Sequence, residues 1–301
     1  MRYSGEGTQE NPYIPEDFTG FLHCIAQTDS YVKLESDIDA AADSSYEGIL
    51  YEPVTFNCKE CYADELKKII GVTVNAANAV QISGGTSENV KSVRNIGFFN
   101  WSHKQLSSGT VSLIRLSNYT VMRGCSVSAQ SVGSKLSILS SSSNAGMAVS
   151  RCSFHIKFSG ANTGTVVNTN PSLTRCNFIL DGAEILISSQ TWFCVSNVVC
   201  TQIGVVVKNS FLTSSDSSAS SVGLFGNSSS SGFNYCVFEN NCTASLPVAV
   251  SLKTYNASQG LTLFCTNGIE NLSVSDSANC KSLTEVQMKD AAYLAEIGFF
   301  P

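Results

Sequence analysis

The sequence has few charged residues and lacks the motifs of several common enzyme classes. Charged residues make up 14% of the 301 residues, whereas 43% are hydrophobic. A chain of this size can bury a sizeable core, but Ser and Asn rather than charges must keep its surface in water. It contains no HExxH metalloprotease motif and no glycine-rich phosphate-binding loop. The sequence therefore does not support a metalloprotease of the HExxH type or an enzyme with a glycine-rich phosphate-binding loop.

Long apolar runs are also missing. No run approaches the length of about 18 residues that a membrane-spanning helix requires, and the first residues, Met1 to Thr8, lack the apolar core of a signal peptide. We therefore expect no membrane span, and we expect the chain to be made and folded in a cytosol. The net charge of -6 and the lack of Lys and Arg clusters disfavour nucleic-acid binding.

The charges that are present are unevenly distributed. Residues 1–70 hold 14 acidic and 5 basic side chains, whereas residues 71–240 hold 5 acidic and 10 basic side chains. An acidic head and a mildly basic body favour a head-to-body or subunit contact, or an anionic ligand on the body. The alternative is that one repeated outward position happens to carry Arg.

A short phrase recurs along the middle of the chain: a basic residue, then Cys or Asn, a small polar residue and Phe. Its copies are centred on residues 96, 125, 152, 176, 209, 236 and 265. The alternation within each copy is typical of a strand with one buried face. Because the copies follow one another at intervals of 24 to 33 residues, they predict a stacked, solenoid-like chain.

The stretches between the copies add short Val, Ile and Leu runs and turns rich in Ser, Asn and Gly. These runs are too short and too β-branched for helices. We therefore predict an all-β fold, a right-handed parallel β-helix of about eight coils. An antiparallel β-sandwich also uses short strands, but it does not explain the recurring phrase.

Both ends differ from the middle. Residues 15–26 and 283–299 have the apolar spacing of short helices, the second beginning at Thr284 and ending at Gly298. We predict N-terminal and C-terminal capping helices. The predicted domains are an N-terminal capping region with a short helix and the first strands, the β-helix, and a C-terminal cap or attachment segment, over residues 1–70, 71–280 and 281–301.

The sequence contains twelve cysteines. Five of them occupy one place in the repeated phrase, where we expect reduced, buried thiols, because a cytosolic chain of this size needs no disulfides. These five are Cys125, Cys152, Cys176, Cys236 and Cys265.

Cys58 and Cys61 form a Cys-x-x-Cys pair and are the candidate metal ligands. A zinc site needs four ligands, and only His23 and Cys24 are plausible additions. A thioredoxin-like role would need an α/β setting, which does not surround this pair. We therefore predict no cofactor and no metal.

Carboxylates are sparse in the body. Glycoside hydrolysis needs two of them about 5 to 10 Å apart. Asp181 and Glu184 flank a turn at Gly182 and are the catalytic candidates. The alternative is that they are an ordinary solvated pair.

A binding surface would use other side chains. Trp101 and Trp192 are candidates for stacking on sugar rings, with Ser and Asn to hydrogen-bond to hydroxyls. Arg151 and Arg175 are candidate ligand-binding residues on neighbouring coils. The alternative for both tryptophans is packing in the core.

Two terminal segments carry a family resemblance. Gly5-Glu6-Gly7-Thr8-Gln9-Glu10-Asn11-Pro12-Tyr13-Ile14, followed by a helix and the strand Tyr-Val-Lys-Leu, resembles the opening of pectin-lyase-like β-helix proteins of bacteriophage virions and gut-bacterial surfaces. Residues 283–299 are similar to segments that end repeat units in the same group. The middle of the chain resembles this group only in the general pattern of its repeats. The resemblance implies a fold and a setting, but no reaction.

The resemblance implies a virion structural protein exposed on the particle, as a head fibre, capsid decoration, tail fibre or tailspike. The expected partners are other virion subunits, copies of the same chain as a trimer by analogy, and host glycans. The expected location is the virion surface, after folding in the host cytosol. The alternatives are a polysaccharide lyase or glycoside hydrolase on the same scaffold, and a bacterial surface adhesin.

Overall fold

The structure is a computed structural model. It describes residues 1–104, 111–132, 136–141, 145–159, 167–168, 172–186, 191–194, 200–214, 221–225, 231–239, 241–246, 249–253 and 259–297. In these ranges the chain is mostly short strands that pair in parallel, which confirms the predicted all-β parallel β-helix. None of the described helices is long and apolar enough to cross a membrane.

The described strands are numbered in chain order: β1 Tyr3–Ser4, β2 Ile14–Pro15, β3 Tyr31–Lys33, β4 Ile38–Asp39, β5 Val54–Phe56, β6 Glu60–Ile70, β7 Thr73–Val74, β8 Asn78–Ile82, β9 Lys91–Lys104, β10 Val111–Leu116, β11 Thr120–Arg123, β12 Ser126–Val132, β13 Leu136–Ser141, β14 Ala148–Ser150, β15 Ser153–Ser159, β16 Val167–Asn168, β17 Ser172–Asp181, β18 Glu184–Leu186, β19 Thr191–Cys194, β20 Cys200–Lys208, β21 Phe211–Thr213, β22 Ser221–Phe225, β23 Ser231–Phe238, β24 Thr243–Ser245, β25 Val250–Lys253, β26 Gln259–Cys265, β27 Leu272–Val274 and β28 Cys280–Ser282. The helices are α1 Phe18–Ala26, a 3-10 turn Ala40–Ala42, α2 Glu285–Lys289 and α3 Ala291–Glu296.

Two long parallel sheets form the walls of the β-helix. The first sheet has fourteen described strands, with β9, β12, β15, β17, β20, β23 and β26 stacked in that order. The second has nine, from β5 to β27, and all but β5 begin after residue 70. A third sheet contains β18, β21 and β24. Because β3, β4 and β6 join the first sheet, the β-helix continues across residue 70, and the division into three domains stays a prediction.

A column of buried side chains runs through the first sheet. Parallel pairing places each member directly over the next, and each is at most 3% exposed. Burying one such side chain stabilises the fold by about 1.5–3 kcal/mol. The column consists of Ile38, Ile69, Phe98, Val127, Phe154, Phe178, Val205, Cys236 and Phe264.

Each of five successive coils turns a corner just before this column. One residue there has a positive φ of 53° to 64°, and the residue after it points into the core. Where that core residue is Cys, its thiol donates to carbonyls at the corner; the Sγ of Cys152, for example, bonds to the oxygens of Ser150 at 3.2 Å and Met122 at 3.7 Å. The repeated phrase therefore encodes a corner. The corner residues are Asn95, Gly124, Arg151, Arg175 and Gln202.

The prediction that Cys236 and Cys265 share the position of Cys176 is wrong. Cys236 pairs with Val205 and Phe264 and thus belongs to the column of large side chains, while Cys265 pairs with Val237. The phrase at residues 208–211 is a turn into the third sheet rather than a fifth copy. The ten cysteines that the structure describes are nevertheless all buried and free, which confirms reduced thiols for those ten.

The N-terminal helix covers one end of the core. Asp17 caps helix α1 by accepting from the N–H of Gly20 at 2.7 Å. On its buried face Phe21 contacts Phe56, with ring centres 5.9 Å apart, and Phe56 in turn contacts Phe98. The predicted N-terminal cap is therefore confirmed, and it continues the aromatic core rather than lying on it as a separate layer.

The C-terminal segment forms two helices instead of the predicted one. Thr284 begins α2 with a capping box, as expected, but Asp290 ends α2 and caps α3 by accepting from the N–H groups of Ala292 and Tyr293. The two helices pack over Leu261, Leu263 and Leu283, on the outer side of the last strands of the first sheet. The predicted stop at Gly298 lies outside the described residues.

Candidate functional site

A β-bulge lies on the first sheet where β9 meets β12. Phe99 pairs with Ser128 and Trp101 pairs with Ala129, so Asn100 is an extra residue without a partner in β12. Its φ of 55° is left-handed, which Asn tolerates better than most residues. The bulge resets the alternation of the strand, so that Phe98 and Trp101 both point inward. Bulges are frequent beside functional sites.

Trp101 packs in the core, contrary to its prediction as a sugar-stacking residue. It is 2% exposed, its indole N–H donates to the carbonyl of Ile69 at 2.9 Å, and its ring meets the edge of Phe98 at 5.1 Å. The physical reason is the bulge, which turns the ring inward and leaves no face for a ligand. The side chain of Trp192 lies outside the described residues.

A groove of about 270 Å³ lies over the bulge. Ala129 and the covered edge of Trp101 form its floor, and its walls are outward side chains of β9, β12 and β15. These side chains are amides, hydroxyls, one imidazole and one ammonium, so the groove offers both donors and acceptors on three rigid strands. The wall residues are Asn100, Ser102, Ser128, Gln130, His155 and Lys157.

Asp181 lies in register beside Lys157, at the end of β17. Its carboxylate accepts a hydrogen bond from the Nδ2 of Asn209 at 2.7 Å and lies 3.7 Å from the Nε2 of His155. That Nε2 atom is buried and has no hydrogen-bond partner among the described residues. The edge of the groove therefore carries an imidazole and a carboxylate close together.

Glu184, the other predicted catalytic residue, is on a different sheet. The chain turns at Gly182, which has a φ of 74°, and Glu184 then begins β18, where it pairs with Phe211. Asp181 belongs to the first sheet and Glu184 to the third. The structure does not bring the two onto one sheet face, and their joint catalytic role stays a prediction.

The two predicted ligand-binding arginines are both exposed corner residues. Arg151 and Arg175 have φ values of 53° and 54°. The Nε of Arg175 donates to the Oε1 of Gln202, at the next corner, at 2.7 Å. The corners therefore place the two arginines on successive coils, just before strand β15 and the second half of β17.

The predicted metal ligands Cys58 and Cys61 lie in the core. Both are at most 2% exposed, and burial raises the pKa of Cys58 to about 12 and that of Cys61 well above the ordinary value. His23 instead stacks on Tyr3, at a ring distance of 5.1 Å. Within the described part of the chain, no group of three or more His, Cys, Asp or Glu could hold a metal ion.

The sequence contains a signal for the groove that the repeat analysis missed. Three aromatic residues, Phe98, Phe99 and Trp101, lie too close together for strict alternation, which indicates a bulge at Asn100. Once the strands are in register, the polar side chains of 155 and 157 follow as neighbours of 128 and 130. Without the register, these residues are too far apart in the sequence to be recognised as one site.

Comparison with protein-family models and with curated proteins finds no match. Among solved structures, the chain is similar to a Bacteroides ovatus protein described as a "putative immunoglobulin A1 protease". The alignment has 16% sequence identity, covers 91% of this chain and 87% of the other, and has a TM-score of 0.42. At that identity and TM-score the likeness carries no argument about function.

Proposed function

We propose that this chain is a non-enzymatic structural protein, exposed on a phage particle, that binds host-surface glycans in the groove over the bulge. The observation that carries the binding role is the groove itself, with Asn100, Ser128, Gln130 and Lys157 presented by three paired strands. Glycan hydroxyls need such mixed donors and acceptors, and rigid strands hold them in place, so that less conformational entropy is lost on binding.

The setting on a phage particle is supported by the resemblance of the two chain ends and by the β-helix scaffold. Its test is whether purified particles contain the chain, measured by mass spectrometry and by electron cryo-microscopy. A repeated subunit on the head or tail supports the proposal and gives its stoichiometry. Particles that lack the chain contradict the virion setting and favour a bacterial surface adhesin.

The binding role is tested with a glycan array, followed by calorimetry on the glycans that bind. Gln130→Ala removes an exposed amide from the groove, and we expect its affinity to fall about two- to tenfold, the worth of one hydrogen bond. Gln81→Ala is the matched control, because Gln81 lies on β8 of the other sheet. Equal binding by both variants would show that the groove is not the site.

Glycan cleavage is a second candidate function, favoured by His155 and Asp181 at 3.7 Å beside the groove. Imidazole and carboxylate groups are the usual general acids and bases, and a small movement of either side chain would bring the two within the roughly 2.6–3.2 Å that proton transfer needs. The test is the release of new reducing ends from a bound glycan, with Asp181→Asn and His155→Gln as variants. If the wild type cleaves the glycan and neither variant does, the chain is an enzyme and the proposed non-enzymatic role is wrong. If the bound glycan stays intact, the non-enzymatic role is supported.

A further inference from the structure

Three arginines lie on successive coils where the first sheet turns its corner. Arg123 precedes the corner residue Gly124, and Arg151 and Arg175 are themselves the corner residues of the next two coils. Arg151 and Arg175 occupy the same corner position on neighbouring coils, about 4.8 Å apart along the axis of the β-helix. Arg123 lies one residue out of register with them, because it pairs with Ser150. We call Arg123, Arg151 and Arg175 the arginine ridge.

Arginine is an unfavourable choice at these corners. A positive φ strains residues that carry a Cβ, and Asn or Gly tolerates it best. The preceding two corners follow this rule with Asn95 and Gly124, whereas the next two use Arg151 and Arg175. The fifth corner uses Gln202, which bonds to Arg175. Strain of this kind clusters at functional sites. The ridge therefore keeps long cationic side chains at a conformational cost.

The ridge is not neutralised within the described part of the chain. Arg94, one coil earlier, pairs with Glu60 and lies over the ring of Tyr62 at 5.3 Å. By contrast, the three ridge arginines are exposed, and no described carboxylate lies within ion-pair distance of them. Arg175 is held through its Nε by Gln202, and no described residue bonds to its two terminal nitrogens.

The ridge and the groove are on the same coils, the ridge at the corner and the groove on the strands that follow it. On β15 the groove residues His155 and Lys157 lie four and six residues after Arg151, about 13 to 20 Å along the strand, a distance that a polysaccharide chain can span. Lys157 adds another exposed cation without a described ion-pair partner. The carboxylate beside the groove, Asp181, is held by Asn209 and lies near His155. The three ridge arginines and Lys157 outnumber the carboxylate of Asp181, so the described charges of this region are net positive.

We infer that the ligand is an acidic polysaccharide, whose repeated carboxylates or sulfates bind the arginine ridge while its hydroxyls occupy the groove. The inference rests on the proposed glycan-binding function and names its ligand class. Guanidinium groups bind carboxylate and sulfate with two parallel hydrogen bonds, and a linear polymer matches a row of cations spaced by coils.

The experiment uses the full chain and two matched pairs of probes: dextran sulfate with dextran, and polygalacturonate with neutral galactan. The variants are Arg151→Asn and Arg175→Asn, singly and together. Because Asn suits a positive φ, these variants are expected to fold at least as stably as the wild type, which thermal denaturation checks. Arg115→Asn is the matched control, with the same charge change on an exposed arginine of the second sheet.

We expect the two acidic polymers to bind and each ridge substitution to weaken them about two- to fivefold, with Arg115→Asn unchanged. Binding should also weaken as salt is raised. Equal losses in all three variants would indicate general charge attraction and overturn the site. Neutral probes that bind as well as acidic ones, with no effect of the ridge, would overturn the ligand class but leave glycan binding standing.

Two further outcomes separate the failure of the inference from that of the function on which it rests. If none of the four polymers and no glycan of the array binds, the proposed glycan-binding function itself is wrong. If a DNA duplex binds more tightly than the acidic polymers and depends on the ridge in the same way, the ridge is a nucleic-acid site and the inferred ligand class is overturned.

Discussion

At the residue scale, the geometry of the corner explains why a small residue such as Cys follows it in several coils. A buried thiol fits beside the corner carbonyls and donates weakly to them, as Cys125, Cys152 and Cys176 do. Two coils after Cys176, the same position holds Asn234, which lies opposite Ile203. The Oδ1 of Asn234 accepts from the N–H of Ile203 at 2.9 Å, a stronger bond than a thiol makes. A substitution at the position directly after the corner therefore has to satisfy the corner carbonyls as well as fill space.

Gly204 is required by a neighbouring ring. A Cβ built on Gly204 would lie 2.3 Å from the hydroxyl of Tyr235 and 2.6 Å from the Oδ1 of Asn177. We expect Gly204→Ala to lower the free energy of unfolding by about 1–3 kcal/mol, the cost of an overpacked site. In a Tyr235→Ala background the same change should cost much less. Urea denaturation of the four proteins measures the coupling; additive losses would show that the ring does not cause the strain.

His103 gives the fold an acid-sensitive point. The side chain is fully buried, its Nε2 bonds to the carbonyl of Ala76, and burial lowers its pKa from 6.5. The unfolded chain therefore binds a proton as the pH falls below about 6.5, whereas the folded chain does so only at lower pH. The contribution of this residue to stability is complete above pH 6.5 and is lost progressively below it.

His103→Gln keeps an amide donor for Ala76 and removes the titration. Between pH 6.5 and the lowered pKa, we expect the free energy of unfolding of the wild type to fall more steeply than that of the variant, by up to about 1.4 kcal/mol per pH unit. Denaturation curves at pH 7.5, 6.5 and 5.5 measure this difference. Parallel pH profiles would mean that protonation of His103 does not weaken the fold.

At the scale of the element, strand existence could be predicted from the sequence, but strand register could not. Short β-branched runs and the repeated phrase suffice to predict coils. The register predicted from the phrase fails at residues 203–211, because Ile203 and Val205 pair with Cys176 and Phe178 while the similar phrase at 208–211 forms a turn. The bulge at Asn100 also shifts, by one residue, which side chains of β9 point inward. The candidate groove depends on the bulge and on the pairing of β9, β12 and β15, which is why its residues emerged only from the paired strands.

The C-terminal helices hold to the sheet through a small apolar contact. Leu294 packs over Leu261, Leu263 and Leu283, whereas Val286 is 78% exposed. We expect Leu294→Asp to release both helices, because it places a charge against a buried apolar surface. Val286→Asp should leave them bound. Limited proteolysis, with cleavage sites located by mass spectrometry, distinguishes the two; cleavage of both variants at equal rates would contradict this contact.

At the scale of the whole molecule, one core connects the N-terminal helix to the last coils. The main cluster of buried side chains runs from Phe18 to Cys280 without a break. The contact beneath α2 and α3 is separate and, among the described residues, contains three buried side chains. In a solenoid each coil is stabilised by its two neighbours, so the interior coils have twice the support of an end. The cap at α1 gives the N-terminal end a partner of its own.

This arrangement predicts an order of local unfolding that hydrogen–deuterium exchange can measure. Amides of α2 and α3 should exchange first, then those of β27 and β28 at the C-terminal edge, and last those of β12, β15 and β17, which have neighbours on both sides. Amides of β6 should be protected as well, because α1 and β3 cover that end. If β6 instead exchanged as fast as β28, helix α1 would not stabilise the N-terminal end, and the cap would be a surface attachment rather than part of the core.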